Sequence, residues 1–291
     1  MATIMKKLPI YKKILFIYKF LKRNHYIPNI SHPKTFNEKI NHRKFFSENE
    51  LFSICADKIA AKEYVSKALS SNEIIIPTLF SSDTISEDMI RSLLKIHDSF
   101  LIKANHNSGH IHFINKNSTK EKIISACNDL SKELRRDFGK RKNEGWYSKI
   151  KPRILFEENV KPSHSKSLTD YKFHVFKQED GEFKIVLCVI FDRGNNPHCS
   201  YFDENLNWIP ISQGYPCIVT KIIPPENYSK MVQIAKLLAK PFNYVRIDLY
   251  NINGKIYFGE FTFADGSGFE KFSSYDHDLW LGGLWNGDPC D

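Results

Sequence analysis

The sequence predicts an α/β (α+β) fold, because segments with helical periodicity alternate with short apolar strands and with glycine-containing turn signals. Apolar residues recur at helical spacing over 34–47, 56–70, 119–138 and 226–240. Apolar or alternating patterns predict strands at 73–79, 99–104, 153–160, 170–177, 183–192, 244–250 and 255–263. The dipeptide Asp180-Gly181 and the run Asn251–Gly254 are typical of hairpin turns between neighbouring strands.

Composition and charge narrow the class of protein. With 291 residues, 42% hydrophobic and 13% aromatic, the chain can bury the core of one large or two modest domains. The net charge of +9 favours anionic partners such as nucleotide phosphates, acidic glycans, anionic lipids or nucleic acids. No signal peptide is evident and no apolar run reaches the roughly 18 residues of a membrane span, so we expect a cytoplasmic protein. The six cysteines lack CxxC spacing, which favours reduced thiols over a structural zinc site.

Residues 1–33 are predicted to form a basic amphipathic helical extension. Its apolar residues at helical spacing are Ile14, Leu15, Ile17, Tyr18 and Leu21, and its basic residues include Lys12, Lys13, Lys19, Lys22 and Arg23. A helix of this kind can lie on an anionic membrane surface, here at the inner face of the membrane. The alternative is an ordinary amphipathic helix packed against the main domain, and the sequence leaves both interpretations open.

The segment SFLIKANHNSGHIHFI combines an apolar strand with a small polar loop. Lys103 ends the strand and Asn105–Gly109 form the loop, which has exposed amides that can close over nucleotide phosphates. The segment matches neither the P-loop pattern nor the spaced glycines of a dinucleotide fold. We expect His106, His110 and His112 to be loop and strand residues rather than zinc ligands, because no acidic residue lies near them in sequence.

The strands 244–250 and 255–263 each carry charged or polar residues on one face. Arg246 and Asp248 share a face of the first strand, and Glu260 and Thr262 share a face of the second. An Arg, an Asp and a Glu in so apolar a setting are costly to bury together without a cation or ligand. The alternative is a surface hairpin with scattered charges.

The register of this hairpin decides whether the acidic residues meet. If Tyr250 pairs with Ile256 across a five-residue loop, with Gly254 in a left-handed conformation, Asp248 and Glu260 become diagonal neighbours. Diagonal cross-strand residues lie roughly 7–8 Å apart at Cα, which one or two Mg²⁺ ions could bridge through carboxylate oxygens. A slip by one residue would separate the two side chains.

Six segments together resemble the TupA-like ATP-grasp proteins, which are found in bacterial surface-polysaccharide and teichuronopeptide loci. They are FNEKI (36–40), ADKIAAKEYV (56–65), LIKANHNSGH (101–110), KPRILFEENV (151–160), DYKFHVF (170–176) and VRIDLYNINGKIYFGEFTFADGSGFEKF (245–272). The resemblance covers about residues 34–275 and implies an ATP-grasp fold, in which two α/β subdomains hold the nucleotide between them. It implies an N-terminal helical part at 34–98, a small subdomain with a phosphate flap at 99–160, and a C-terminal subdomain with a metal site at 161–291.

The resemblance also implies a carboxylate–amine ligase that uses ATP and Mg²⁺, and it assigns a role to each matching residue. The two phosphate-binding lysines correspond to Lys58 and Lys103, and the flap to Asn105, Ser108 and Gly109. Backbone groups at the hinge, which would meet the adenine edge, belong to Glu157, Glu158 and Val160. Asp170 corresponds to the acid that holds the ribose hydroxyls, although a turn acid is an equal alternative there. Further cations that could face the phosphates are Lys172 and Arg193.

The same resemblance assigns the metal ligands. Asp248 and Glu260 match the metal carboxylates, and Thr262 stands where these ligases commonly have Asn. A hydroxyl has a shorter reach, so a water could stand between Thr262 and the ion. The flap departs at Asn107, where glycine is expected; asparagine can still adopt a left-handed conformation.

The implied chemistry requires no protein nucleophile. Arg246 would stabilise the oxyanion of the tetrahedral intermediate, because a guanidinium stays charged and offers paired donors. Ser267 and Gly268 lie in a Gly-Ser-Gly run whose backbone amides could approach the acyl group closely. We therefore expect neither Cys199 nor Ser267 to act as a covalent catalyst.

The substrates follow only from the family. We expect the carboxyl of a uronic acid in a surface glycan or its precursor, and an amino acid or small amine; the reverse polarity is also open. Rival classes are a glycosyltransferase, an ATP-dependent sugar kinase and a nucleic-acid-binding module. We expect no nucleic acid partner, because the basic residues cluster at the N-terminus without an aromatic-basic surface motif.

Overall fold

The computed structural model describes residues 9–160, 169–191 and 196–288. The chain forms two compact units, one made of Met1–Asn49 with Ser163–Asp291 and the other of Glu50–Pro162. Each unit contains one antiparallel sheet with helices, which confirms the α+β class.

The described helices and strands are these. The helices are α1 Ile10–Asn24, α2 Phe36–Phe46, α3 Glu50–Ala56, α4 Ala60–Leu69, α5 Glu87–Leu94, α6 Lys120–Leu134, α7 Phe138–Lys142, α8 Gly145–Ser148, α9 Tyr228–Ala239 and α10 Tyr275–Gly283, with a 3₁₀ turn at Asp265–Gly268. The strands are β1 Thr78–Ser82, β2 Ser99–Ala104, β3 His112–Asn115, β4 Ile154–Glu158, β5 Asp170–Lys177, β6 Phe183–Phe191, β7 His198–Asp203, β8 Trp208–Ile209, β9 Tyr244–Ile252 and β10 Lys255–Thr262.

The unit Glu50–Pro162 is built on a four-stranded sheet in the order β1-β4-β2-β3. One face of β2 carries Phe100, Ile102 and Ala104 into a fully buried core with α5 and α6. Because side chains alternate along a strand, Lys103 lies on the opposite face. Residue 157 of β4 pairs with residue 101 of β2, so Glu157 shares that opposite face with Lys103.

Two elements of this unit differ from their predicted positions. The predicted helix 56–70 begins only at Ala60, because Ala56 ends the preceding helix α3. Between the two helices, the Asp57 carboxylate accepts a hydrogen bond from the backbone N–H of Ile59 at 2.8 Å. The predicted strand 73–79 begins only at Thr78, directly after Pro77. Proline lacks the N–H that a strand ladder needs, which accounts for the later start.

The larger unit is built on a six-stranded sheet in the order β10-β9-β5-β6-β7-β8. Helix α2 is bound to the C-terminal part of this unit through Arg43, which is 1% exposed. Its guanidinium pairs with Asp288 at 2.6 Å and donates to the carbonyl oxygens of Phe263 and Tyr244, both at 2.9 Å. These contacts explain why residues up to Asn49 belong to the larger unit.

The β9–β10 hairpin has a shorter loop than the proposed register requires. Asn253 and Gly254, with φ of 51° and 82°, form a two-residue turn, and Tyr250 pairs with Tyr257 rather than Ile256. Asparagine followed by glycine is the favoured pair for such a turn. The five-residue loop is therefore wrong.

A β-bulge in β10 restores the expected meeting of the acidic residues. Phe258 opposes Leu249, but the next pair is Glu260 with Asp248, so Gly259 is an extra residue in its strand. If β10 paired regularly, Gly259 would oppose Asp248, and Glu260 would oppose Ile247 and point to the other face. The bulge thus places Asp248 and Glu260 directly opposite each other, and not on a diagonal.

Two further expectations concern membrane spans and cysteines. Within the described ranges, no helix combines the length and the apolar content needed to cross a bilayer. The cysteines that the structure describes are free thiols, at positions 55, 127, 188, 199 and 217.

Candidate active site

A cation–carboxylate cluster occupies one face of the larger sheet, and comprises Lys172, Arg246, Asp248, Glu260 and Asp265. Register places its members side by side, because Lys172 of β5 opposes Asp248 of β9, which opposes Glu260 of β10. Asp265 comes from the 3₁₀ turn that follows β10. Sequence reasoning missed Asp265; the only signal was an acidic residue directly before the Gly-Ser-Gly run.

Arg246 holds the cluster together. Its Nε and one Nη donate to the two carboxylate oxygens of Asp248 at 2.7 and 2.8 Å, and the same Nη donates to Glu260 at 3.2 Å. The other Nη donates to Asp265. A guanidinium has five N–H donors, so one N–H of Arg246 has no acceptor among the described residues.

Lys172 adds a second cation to the same carboxylate. Its Nζ donates to Asp248 at 2.9 Å, and its side chain is 11% exposed. Burial raises the pKa of Asp248, but the charges of Arg246 and Lys172 outweigh it and lower the pKa to about 2. Burial lowers the pKa of Lys172, but Asp248 and Glu260 outweigh that effect and raise it. Both groups are therefore charged at neutral pH.

The donor set of the cluster fits a magnesium ion. Three carboxylates face two cations, so the group carries an excess negative charge that a divalent cation would offset. Magnesium prefers carboxylate oxygens and shares its shell with water and phosphate. Glu260, with a 38% exposed side chain, is accessible, and the hydroxyl of Thr262 donates to it at 3.3 Å. To bind the ion, Asp248 would have to give up one of the hydrogen bonds that it accepts from Lys172 or Arg246.

The Gly-Ser-Gly run lies against α2. Lys44 Nζ donates to the carbonyl and hydroxyl oxygens of Ser267, both at 2.9 Å, and Asn41 donates to the carbonyl of Gly268 at 2.8 Å. Gly268 has φ of 69°, and a Cβ there would collide with Asn41 and lie 3.0 Å from the carbonyl of Asn37. Only glycine fits at this position without displacing α2.

A lysine–glutamate cluster lies in the other unit and comprises Lys62, Lys103 and Glu157. Lys62 Nζ lies 2.7 Å from one carboxylate oxygen of Glu157, and Lys103 pairs with the other. Burial raises the pKa of Glu157, but the two lysines outweigh it and hold the pKa below its usual value. Sequence analysis did not single out Lys62, whose side chain is 13% exposed and also donates to the carbonyl of Ile76 at 2.7 Å.

The predicted flap is fixed at its base and exposed at its tip. Lys58 donates through its backbone to the carbonyl of Asn105 at 3.2 Å, and through Nζ to the carbonyl of Asn107. The Asn105 side chain is engaged within the unit, since it donates to Asp57 at 2.9 Å and accepts from the backbone of Arg153 at 2.7 Å. It therefore anchors the loop.

The tip of the loop supplies the exposed groups. Ser108 and Gly109 are both exposed. The left-handed residues are Gly109 and His110, with φ of 84° and 52°, and Asn107 is not among them. The left-handed conformation of the loop therefore begins at Gly109, two residues after Asn107, where the sequence suggested it.

The remaining predicted nucleotide residues are dispersed. Glu158 is exposed and its backbone N–H donates to the carbonyl of Pro77 at 3.1 Å, while Val160 is half-buried. Asp170 is buried at the start of β5, where it opposes Ile190 and Tyr250. Arg193 lies outside the described residues.

The buried His174 is expected to make stability depend on pH. It opposes Arg246 in the sheet, its Nδ1 lies 3.1 Å from the hydroxyl of Tyr244, and burial lowers its pKa to about 4. The other charged groups that act on it are Asp265, Asp248 and Lys172. Between pH 6.5 and 4 the unfolded chain binds a proton here that the folded chain does not. We therefore expect the free energy of unfolding to fall by roughly 3 kcal/mol across this range.

Urea unfolding at several pH values measures this loss in the native chain and in His174→Gln, which keeps a polar partner for Tyr244. The difference between the two curves isolates His174 from other titrating groups. Curves that stay parallel from pH 6.5 to 4 would contradict the assignment.

Known proteins similar to this chain include three solved ligases and synthetases, while no curated protein matches it. D-alanine–D-alanine ligase from Helicobacter pylori is 16% identical with a TM-score of 0.42, and the match covers 81% of this chain and 62% of that one. The corresponding ligase from Bacillus anthracis is 14% identical with a TM-score of 0.41, over 79% and 68%. N5-carboxyaminoimidazole ribonucleotide synthetase from Thermus thermophilus is 13% identical with a TM-score of 0.40, over 72% and 45%.

The chain thus spans 62% of the length of the first of these structures. The sequence profile described as TupA-like ATPgrasp matches residues 38–286, which is most of the chain and includes both clusters. This match confirms the resemblance drawn from the motifs: the chain belongs to the TupA-like ATP-grasp family.

Proposed function

We propose that the protein is an ATP- and Mg²⁺-dependent carboxylate–amine ligase, which joins a carboxylate to an amine as an amide. The observation that supports this most is the cation–carboxylate cluster, in which the β10 bulge sets Asp248 opposite Glu260 beside a nearly buried arginine. A buried group of charges with an acidic excess is expensive for a protein of this size unless a cation or an anionic substrate uses it.

The proposed reaction has two steps. A substrate carboxylate attacks the γ-phosphate of ATP, which gives an acyl phosphate and ADP; the amine then attacks the acyl carbon and phosphate leaves. When bound, Mg²⁺ neutralises charge on the transferred phosphoryl group. We assign Asp248 and Glu260, with Thr262, to hold this ion. Lys103 and Lys58, joined by Lys62, are assigned to the phosphates of ATP.

Arg246 has two proposed roles. Four of its N–H donors position the carboxylates of the cluster, and the fifth is available to the oxyanion that forms on the acyl carbon. Ser267 and Gly268 remain proposed contacts of the acyl group through their backbone. The remaining proposed nucleotide contacts are Asn105, Ser108, Gly109, Glu157, Glu158, Val160, Asp170, Lys172 and Arg193.

The proposed carboxylate substrate is a uronic acid of a bacterial surface polysaccharide or its precursor, and the proposed amine is an amino acid or small amine. A protein of net charge +9 suits an acidic glycan. ATP consumption with Mg²⁺, measured over a panel of uronic acids and amines with mass spectrometry of the products, tests the reaction. ADP with a product of amide mass is expected.

Other products would replace this proposal. A phosphorylated sugar formed without any amine would identify a sugar kinase. Transfer from a nucleotide sugar with no use of ATP would identify a glycosyltransferase. Each experiment includes Glu260→Gln, because a contaminating activity would survive that substitution.

We also propose that α1 contacts an anionic membrane surface. One side of this helix packs on the protein through Phe16, whose ring lies 5.3 Å from that of Phe45, and through the fully buried Phe20. The outer side exposes Ile10 by 69%, Ile14 by 60% and Tyr18 by 58%. Basic residues flank this apolar surface, namely Lys12, Lys13, Lys19, Lys22 and Arg23. Apolar area combined with positive charge is what an anionic lipid surface binds.

Flotation with liposomes tests this contact. The native chain is expected to float with anionic vesicles at low salt and not with neutral ones, and Ile14→Asp is expected to abolish flotation. Ile96→Asp, at a residue exposed by 76% in the other unit, is the matched control and should float like the native chain. Equal flotation of both variants would contradict the proposal.

A further inference from the structure

The base of the flap contains a third group of titratable side chains, the histidine–carboxylate cluster, made of His110, His112, Asp129 and Glu133. His110 Nδ1 lies 2.9 Å from Asp129 and its Nε2 lies 3.5 Å from Glu133. His112 Nε2 lies 2.8 Å from Asp129. One ligand atom from each of His110, Asp129 and Glu133 falls within 4.8 Å of the others. Sequence reasoning dismissed these histidines for want of an acidic neighbour, and the structure supplies two.

The fold explains why these residues meet. Asp129 and Glu133 are four residues apart in α6 and so share one face of the helix. His112 begins β3, and His110 precedes it in a left-handed conformation. A non-glycine residue with positive φ costs conformational energy, which indicates that the contacts of His110 determine its backbone.

A buried acceptor beside the cluster lacks a hydrogen-bond partner among the described residues. Besides the histidines, one cation among the described residues pairs with the carboxylates of Asp129 and Glu133. It is Arg136, which lies 2.6 Å from Glu133. Glu133 is fully buried and accepts from the amide nitrogen of Asn107 at 2.9 Å. The oxygen of that same amide is buried and has no hydrogen-bond partner among the described residues. A cation at this point would satisfy it.

We propose that the histidine–carboxylate cluster binds a divalent transition-metal ion of the zinc class. Two imidazoles with two carboxylates are a donor set that such ions take, whereas Mg²⁺ and Ca²⁺ prefer oxygen alone. Ligand atoms about 2.0–2.2 Å from a tetrahedral zinc lie roughly 3.3 Å apart, and His112 Nε2 already lies 2.8 Å from Asp129. An imidazole binds one ion through one nitrogen, and with one atom each His110, Asp129 and Glu133 lie within 4.8 Å of one another, so these side chains would close in by about 1 Å around the ion. The site shares no residue with the proposed magnesium ligands, and it would tie the flap to α6.

Zinc titration of the metal-stripped full-length protein tests this site. Calorimetry is expected to show one Zn²⁺ per chain, and Co²⁺ is expected to give the visible absorption of a tetrahedral complex. Asp129→Asn and His112→Ala should each weaken zinc binding by at least about ten-fold, since each removes a ligand. The matched controls Asp98→Asn and His97→Ala, in the same unit but outside the cluster, should bind as the native chain does.

A second readout guards against loss of folding in a variant. Zinc that binds only the folded state raises the midpoint of thermal unfolding, so the native chain should gain stability with Zn²⁺ and not with Mg²⁺ at the same concentration. His110→Gln, which keeps a polar side chain at the loop, should lose this gain. No saturable zinc binding by the native chain, or equal binding by Asp129→Asn and Asp98→Asn, would overturn the proposal. The proposed ligase reaction does not depend on either result.

Discussion

Replacing Asp248 by asparagine is expected to reduce ATP-dependent amide formation by at least about 100-fold, because the change removes charge that acts on the phosphoryl group. The same substitution leaves Arg246 and Lys172 buried with one carboxylate fewer. Removing one partner of a buried ion pair costs about 3 to 5 kcal/mol. Asp248→Asn should therefore lose both activity and stability.

Glu260→Gln separates the two effects. Its side chain is 38% exposed and accepts one hydrogen bond from Arg246, at 3.2 Å. We expect a comparable loss of turnover with a stability change within about 1 kcal/mol. The measurements are turnover with saturating ATP and urea unfolding of each variant. Asp276→Asn, an exposed carboxylate in the first turn of α10, is the control. Full activity in folded Glu260→Gln would remove this residue from the metal site.

Lys103→Met is expected to raise the KM for ATP by at least about ten-fold, which corresponds to the loss of about 1.4 kcal/mol of binding. Lys103 and Lys62 share the carboxylate of Glu157. A phosphate of ATP would compete for the same lysines, so both ion pairs would weaken as nucleotide binds. Lys62→Met should consequently raise the KM for ATP by a similar factor, although the sequence around Lys62 gave no reason to expect this.

Steady-state kinetics with varied ATP and fixed second substrates measures this effect. Lys67→Met is the matched control, because Lys67 is exposed in the same helix as Lys62. A KM for ATP that is unchanged in Lys103→Met would exclude this lysine from the nucleotide site. An equal rise in Lys67→Met would point to net charge rather than to a specific contact.

The fold class and the acidic face of the hairpin could be predicted from the sequence, because both depend on local periodicity. Strand 99–104 and the strands at 170–177 and 183–192 lie within one residue of their predicted ends. The register of β10 against β9 could not be derived in this way, because the bulge inserts a residue that interrupts the regular alternation of side chains. Gly259 in the middle of a strand was the available signal, because glycine there often marks a bulge.

Partners that come from distant parts of the chain were the main omission. Asp265 reaches Arg246 from the turn beyond β10, Lys62 reaches Glu157 across 95 positions, and Asp129 meets His110 from a helix. Each contact depends on how helices and loops pack, which propensity and spacing do not determine. The sequence therefore predicts that a buried charged side chain must have a partner of opposite charge, but it does not identify that partner.

The bulge at Gly259 also bears on how sequences of related hairpins should be aligned. Lengthening the turn at Asn253 and Gly254 would leave the strand face of Asp248 unchanged, as long as the pairs beyond it persist. Deleting the single residue at 259 would remove the bulge, and the glutamate would then follow Phe258 directly and oppose Asp248 by ordinary alternation. A relative with a one-residue gap at this point should thus be read as having kept the acidic pair in a strand without a bulge.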